Sequence, residues 1–286
     1  MMLKMGAGKC CKSEGVLPDP NLLPDPDVLN LEPRVYGGSG DDKSMGMKNR
    51  QPNTLIFDMD GCLYSNPEFM TYVHNQIFHF MISQTQGKFN AITNLEEARA
   101  VWKPIFEKYN LTKRGLQAEG YVFNSDEYDD FIRKDMASFI VSNDKLKTLI
   151  DSLPQKTKVI MTNCPERHAL ECLKLIGIDK CFSKIYGTSF FDGKCKPEVE
   201  VFDLVLKDLG LESLEERKNI CYFEDSYMNM IAGKRLGFKT VFVKCETLAA
   251  EGRKEDELSE FDCLCDIVVN ESDLRRGAGW LWDDGE

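Results

Sequence analysis

The chain has 286 residues, is 42% hydrophobic and carries a formal net charge of −11. That is enough for one moderate domain or a core domain with a smaller partner, while no apolar run approaches the roughly 20 residues that span a bilayer. Between residues 246 and 286, thirteen acidic residues face four basic ones, so the body is near neutral, and without a basic stripe a nucleic-acid partner is disfavoured.

Residues 1–52 read as a disordered or extended N-terminal extension. The segment repeats L-P-D-P at 17–20 and 23–26 and continues into G-G-S-G-D-D-K-S; proline at that density removes backbone donors, and glycine and serine add freedom. Met5-Gly6 followed by Cys10-Cys11 would offer a site for dual acylation only if translation began at Met5, and Cys10 stands where that pattern wants Ser or Thr. The N-terminus has no hydrophobic signal-peptide core. The 11 cysteines are scattered without zinc-like pairs, so reduced thiols and a cytoplasmic location are expected.

From residue 53, short apolar runs alternate with helical patterns. T-L-I-F (54–57), K-V-I-M (158–161), N-I-C-Y-F (219–223) and T-V-F-V (240–243) read as parallel strands covered on both faces. The patterns at 166–178 and 197–210 each close on glycine, Gly177 and Gly210, and Pro197 marks a helix start. This alternation predicts an α/β fold, a Rossmann-like open parallel sheet flanked by helices. Residues 64–150 contain no buried strand; helical patterns at 69–81, 95–109 and 126–140 predict a helical cap domain inserted after the first strand. The core is then 53–63 with 151–270, and 271–286 an acidic C-terminal tail.

The polar residues that end the apolar runs carry the chemistry. The first run ends in Asp58-x-Asp60, the second in Thr162-Asn163 and the third in Glu224-Asp225. Lys196 precedes the helix at 197. Carboxyl ends of parallel strands share one crevice, so these groups are expected to converge. Carboxylates that close repel unless a cation lies between them, and hard oxygen donors without histidine or thiolate select Mg2+. Asp58, Asp60, Asp225 and Glu224 are the candidate ligands. A lysine and a hydroxyl beside a free carboxylate outline a phosphoryl-transfer site. Asp58 would be the nucleophile and Asp60 the acid and base. Thr162, Asn163 and Lys196 would hold the transferring group's oxygens.

These residues resemble the haloacid dehalogenase-like hydrolases, whose four motifs match as D-M-D-G-C-L (58–63), T-N (162–163), K-P (196–197) and F-E-D-S (223–226). Within that superfamily, F-D-M-D-G-C-L-Y, Y-N-L-T-K-R-G-L (109–116) and T-N-C-P-E-R-H-A resemble the pyrimidine 5′-nucleotidase branch of fungi and plants. The resemblance spans about 53–245. It implies a magnesium-dependent phosphomonoester hydrolase working through an aspartyl-phosphate, on a small phosphorylated metabolite, foremost a nucleoside 5′-monophosphate. Cys62 stands where the family usually has Thr, which implies tuning and oxidation sensitivity; Gly61 and Glu224 stand where the branch usually has Asn or Asp.

Other readings use the same residues. A sugar-phosphate or phosphoglycolate phosphatase or a phosphomutase would need the same four motifs. A regulatory binding protein retaining the fold would not need all of them. His74 and His79 lie about 140° apart on a helix and cannot share an ion; His168 reads as a packing residue. Lys113 and Arg114 read as a solvated face.

Overall fold

The computed structural model describes residues 51–245, 251–266 and 268–282. The expected extension, with Met5, Gly6, Cys10 and Cys11, therefore lies outside the described residues except for 51–52.

Six strands form one parallel sheet: β1 (Thr54–Phe57), β2 (Thr157–Met161), β3 (Lys184–Tyr186), β4 (Ile220–Glu224), β5 (Lys239–Lys244) and β6 (Cys263–Asp266). Their order is β3-β2-β1-β4-β5-β6, so β1 is central and pairs with β2 on one side and β4 on the other. Alternate residues face opposite layers, as strand geometry requires. Leu55, Phe57, Ile160 and Phe223 join one core cluster, while Ile56, Val159, Met161 and Tyr222 join the other. The rings of Phe57 and Phe223 stack at 4.1 Å across β1 and β4.

The four apolar runs all became strands, shifted by at most one residue. The two strands without such a run, β3 and β6, are the sheet edges. Lys184-Ile-Tyr is short and begins on an exposed lysine, and Cys-Leu-Cys-Asp ends on an exposed aspartate, so neither shows the continuous apolar signal of a central strand.

Between β1 and β2 lie five helices: α1 (Pro67–Ser83), α2 (Leu95–Tyr109), α3 (Thr112–Ala118), α4 (Ser125–Arg133) and α5 (Asp144–Ser152). Asn66, Asn94, Asn124 and Asn143 cap α1, α2, α4 and α5 by accepting from first-turn amides, the usual role of asparagine at that position. Helices α1 to α4 enclose their own apolar cluster, built on Ile77, Phe80, Phe89, Trp102, Ile105 and Leu116. Residues 64–150 do not all belong to this insert. Leu146, Leu149 and Ile150 of α5 pack into the sheet's core, because the chain has already returned to the sheet. The helix expected over 126–140 likewise stops at Arg133; Met136 and Ile140 beyond it are buried against the sheet.

After β2 come α6 (Glu166–Ile176), α7 (Val199–Leu209), α8 (Leu214–Arg217), α9 (Tyr227–Arg235) and α10 (Glu271–Gly277). Gly177 and Gly210 end α6 and α7 in the left-handed region, where glycine has no Cβ penalty. Pro197 follows a cis Lys196–Pro197 bond, and α7 starts at Val199. Residues 271–282 are not a solvated tail. Leu274, Ala278 and Leu281 are buried in the sheet's core, and the Leu281 carbonyl accepts from the Gln51 and Gln155 amides at 2.8 and 2.6 Å. Within 271–282 two acidic residues are matched by two basic ones, and the apolar residues of its inner face are spaced singly between them.

Candidate active site

The carboxyl ends of β1, β2 and β4 bring Asp58, Thr162, Glu224 and Asp225 to one edge of the sheet, and the loop before α7 adds Lys196. The Asp58 amide continues the ladder by donating to the Phe223 carbonyl at 2.8 Å. Lys196 is 1% exposed. Its Nζ lies 2.7 Å from Asp58 Oδ1 and 2.6 Å from Glu224 Oε2. A lone buried ammonium would be strongly disfavoured; here burial works against the Lys196 charge but the two carboxylates outweigh it and push its pKa up. Of the two carboxylates, burial and the charge of Glu224 push Asp58 up, whereas Glu224, despite burial, is held below its usual value by Lys196 and the Tyr222 hydroxyl.

Asp58, Glu224 and Asp225 each offer an oxygen within 4.8 Å of the others, and all three are buried. The all-oxygen donor set of these three buried carboxylates fits Mg2+. Glu224 is the most committed of the three. Its Oε2 accepts from Lys196 and the Tyr222 hydroxyl, and its Oε1 from the Asp225 and Ser226 amides at 3.2 Å each.

Asp60 points elsewhere. Arg133 Nη2 donates to its Oδ2 at 2.7 Å and Nη1 to Oδ1 at 3.3 Å, and the Tyr64 hydroxyl also donates to Oδ1. Burial would raise this carboxyl, but Arg133 and Tyr64 overcome it and hold it below the usual range. Between the two aspartates and the insert the chain turns at Gly61, φ +81°. A Cβ there would stand 2.3 Å from Asp225 Oδ2, so the branch's larger residue does not fit beside Asp225 as it is placed here. Cys62 is fully buried, and burial with the nearby Asp58, Asp225 and Glu224 charges raises its thiol well above the ordinary value. A buried, un-ionised thiol is unreactive, so the expected oxidation sensitivity at Cys62 is corrected.

The residues after β2 do different work from one another. Thr162 is buried and its Oγ1 accepts from the Cys164 amide at 3.2 Å. Asn163 grips the lysine's backbone: its Oδ1 accepts from Lys196 N–H at 2.8 Å and its Nδ2 donates to the Lys196 carbonyl at 3.1 Å. At the end of β4, Cys245 Sγ donates to Asp225 Oδ2 at 3.1 Å. Glu251 accepts from Ser226 Oγ at 2.6 Å and the Tyr227 amide at 2.8 Å, bracing the start of α9.

Sequence reasoning missed Arg133, Tyr222 and Glu251. Arg133 sits among charged residues in a helical pattern, and Tyr222 reads as one more apolar strand residue. Glu251 lies in a segment whose acidity reads as surface. His74 lies edge-on to the Trp102 ring at 6.0 Å, and His168 is buried with Nε2 3.0 Å from Asp130. Lys113 is half-buried and pairs with buried Asp129 at 2.6 Å.

A family model described as haloacid dehalogenase-like hydrolase matches residues 55–243. Phosphate metabolism protein 8 of Saccharomyces cerevisiae is 22% identical over 271 residues, covering 87% of this chain and 74% of that protein. Among solved structures, β-phosphoglucomutase from Clostridium difficile has a TM-score of 0.47 at 19% identity, over 78% of this chain and 92% of that one. L-2-haloacid dehalogenase from Xanthobacter autotrophicus has a TM-score of 0.46 at 15% identity, over 80% of this chain and 100% of that one. With its family model covering the central strands and every strand-end residue of the site, the chain belongs to the haloacid dehalogenase-like hydrolases.

Proposed function

We propose that this hydrolase is a magnesium-dependent phosphomonoesterase that forms an aspartyl-phosphate on Asp58, with a nucleoside 5′-monophosphate as its foremost substrate, in the cytoplasm. The observation that carries this reading is the buried Asp58–Lys196–Glu224 chain beside Asp225. Among the described residues no helix is long and apolar enough to cross a membrane.

In this reading Asp58 Oδ attacks phosphorus while the bond to the leaving oxygen breaks; Asp60, held as a carboxylate by Arg133 and Tyr64, would give that oxygen a proton only after leaving that pair and taking one up from solvent. Water then attacks the aspartyl-phosphate, Asp60 takes its proton, and inorganic phosphate leaves. Lys196 neutralises charge on the transferring oxygens, Glu224 orients Lys196, and Thr162 lines the same edge. Asn163 fixes the backbone of Lys196 and contacts phosphate only through it. Asp58, Asp225 and Glu224 would hold Mg2+, which when bound supplies charge neutralisation for an incoming phosphate dianion; the Asp60 carboxylate, expected among the ligands, is paired to Arg133 instead.

Purified protein is expected to release phosphate from an aryl phosphate with Mg2+ and to stop on chelation. Asp58→Asn should abolish turnover while keeping the fold; retained activity would overturn the nucleophile assignment. A panel of uridine and cytidine monophosphates, sugar phosphates and phosphoglycolate then decides the substrate class, and a uniform preference for sugar phosphates would replace the nucleotide reading.

A further inference from the structure

The insert touches a second catalytic element besides Asp60. Asn110, at the end of α2 with φ 52°, donates its Nδ2 to the Lys196 carbonyl at 3.2 Å. That carbonyl also accepts from Asn163, so one residue of the core and one of the insert converge on the same backbone atom. A turn further on, Arg114 donates to the Tyr109 carbonyl from Nη2 and to the Glu198 carboxylate from Nη1. Its Nη1 also lies 3.5 Å from the Gly193 carbonyl. Gly193 and Glu198 flank Lys196 on either side. The 193–198 loop is thus held at both shoulders and at its centre by a five-residue stretch of the insert.

An isolated, partly exposed Arg–Glu pair is worth little. This one differs because its partners are the two flanks of a single loop whose middle carries a buried lysine. Lysine is a long, flexible stem, so where its Nζ arrives depends on where the backbone is fixed. Asn163 alone would leave the loop hinged about one asparagine. Asn110 and Arg114 add two further holds, both on the insert.

We propose that Asn110 and Arg114 are positioning residues through which the helical insert sets Lys196: seated on the core, they hold the 193–198 loop so that Nζ spans Asp58 and Glu224. An insert that swings away takes both holds with it, leaving the Lys196 carbonyl to Asn163. Closure over the substrate and placement of the lysine become one event. The inference rests on the phosphatase reading for its kinetic consequence and stands apart from it for its structural one.

The test uses the full chain and two variants, Arg114→Ala and Asn110→Gly; glycine keeps the left-handed backbone and removes only the side chain. Amide hydrogen exchange should quicken across 193–198 in both, with β1, β2 and β4 unchanged. Unchanged exchange in that loop would overturn the proposal. On an aryl phosphate with Mg2+, kcat should fall about tenfold in Arg114→Ala while KM moves less than about twofold. Arg114→Lys, which keeps a charged donor for Glu198, should recover part of that loss, which a general loss of stability would not. Equal kcat in wild type and both variants would also overturn it. If the wild type turns over no phosphate ester, the phosphatase reading falls, and the exchange measurement still decides whether the insert holds the loop.

Discussion

Arg133 Nη2 lies 2.7 Å from Asp60 Oδ2, and the guanidinium also sits 5.8 Å above the Phe69 ring. The last turn of an insert helix is thereby paired to a carboxylate at the end of the central strand. Removing one partner of a partly buried pair leaves the other charge balanced only by solvent. Arg133→Met is expected to lower unfolding stability by about 1–2 kcal/mol, read as a lower denaturant midpoint. A midpoint equal to that of wild type would show that solvent, not Arg133, balances Asp60.

Metal dependence should show without any substrate. The three clustered carboxylates predict that Mg2+ raises the melting temperature, by about 2.7 kcal/mol of stabilisation at a hundredfold excess over its Kd. Asp225→Ala should abolish the shift, and chelation should return the wild type to its unbound value. A full shift in Asp225→Ala would remove that residue from the metal site.

Gly61 combines a left-handed backbone with the absence of space for a side chain. Gly61→Ala is expected to destabilise by about 1–2 kcal/mol from backbone strain alone, and displacement of Asp225 adds to it. Weaker Mg2+ stabilisation in thermal melts should accompany the loss. Strain without any change in Mg2+ response would mean that Asp225 yields without cost.

Burial raises the Glu251 carboxyl to about 7, against the hydrogen bonds from Ser226 and Tyr227 that favour its charge. A carboxyl raised on folding binds its proton more tightly in the native state, so its contribution is full below the unfolded value near 4.5 and is lost as pH rises through about 7. Glu251→Gln should flatten the stability profile across that window and raise the melting point at pH 8. A slope identical to wild type would show that Glu251 is ionised throughout.

The central strands and the residues that end them were legible because each carries its own local signal: a continuous apolar run, then a polar group. Asp58, Thr162, Glu224 and Asp225 needed only the rule that parallel strands end on one side; Lys196 ends no strand and stood out only by the proline after it. What the sequence concealed depends on pairing across distance. Arg133 looks like any other helical arginine until Asp60 is placed beneath it, and Asn163 looks like a phosphate ligand until the Lys196 backbone is seen to occupy it. The edges failed for a different reason: β3 and β6 need apolar cover on fewer sides, so they spell less of it.

β1 lies at the centre of the sheet, yet both of its neighbours, β2 and β4, follow the whole insert in the chain. Its ladder therefore closes only after a long loop has been ordered, a slow event in topological terms. The insert can shorten that wait. With an apolar cluster of its own, it can condense locally and bring the end of β1 near the start of α5, which carries the chain back along the sheet to β2. The element that covers the catalytic edge in the finished enzyme would then have served earlier as the clasp that let the sheet assemble.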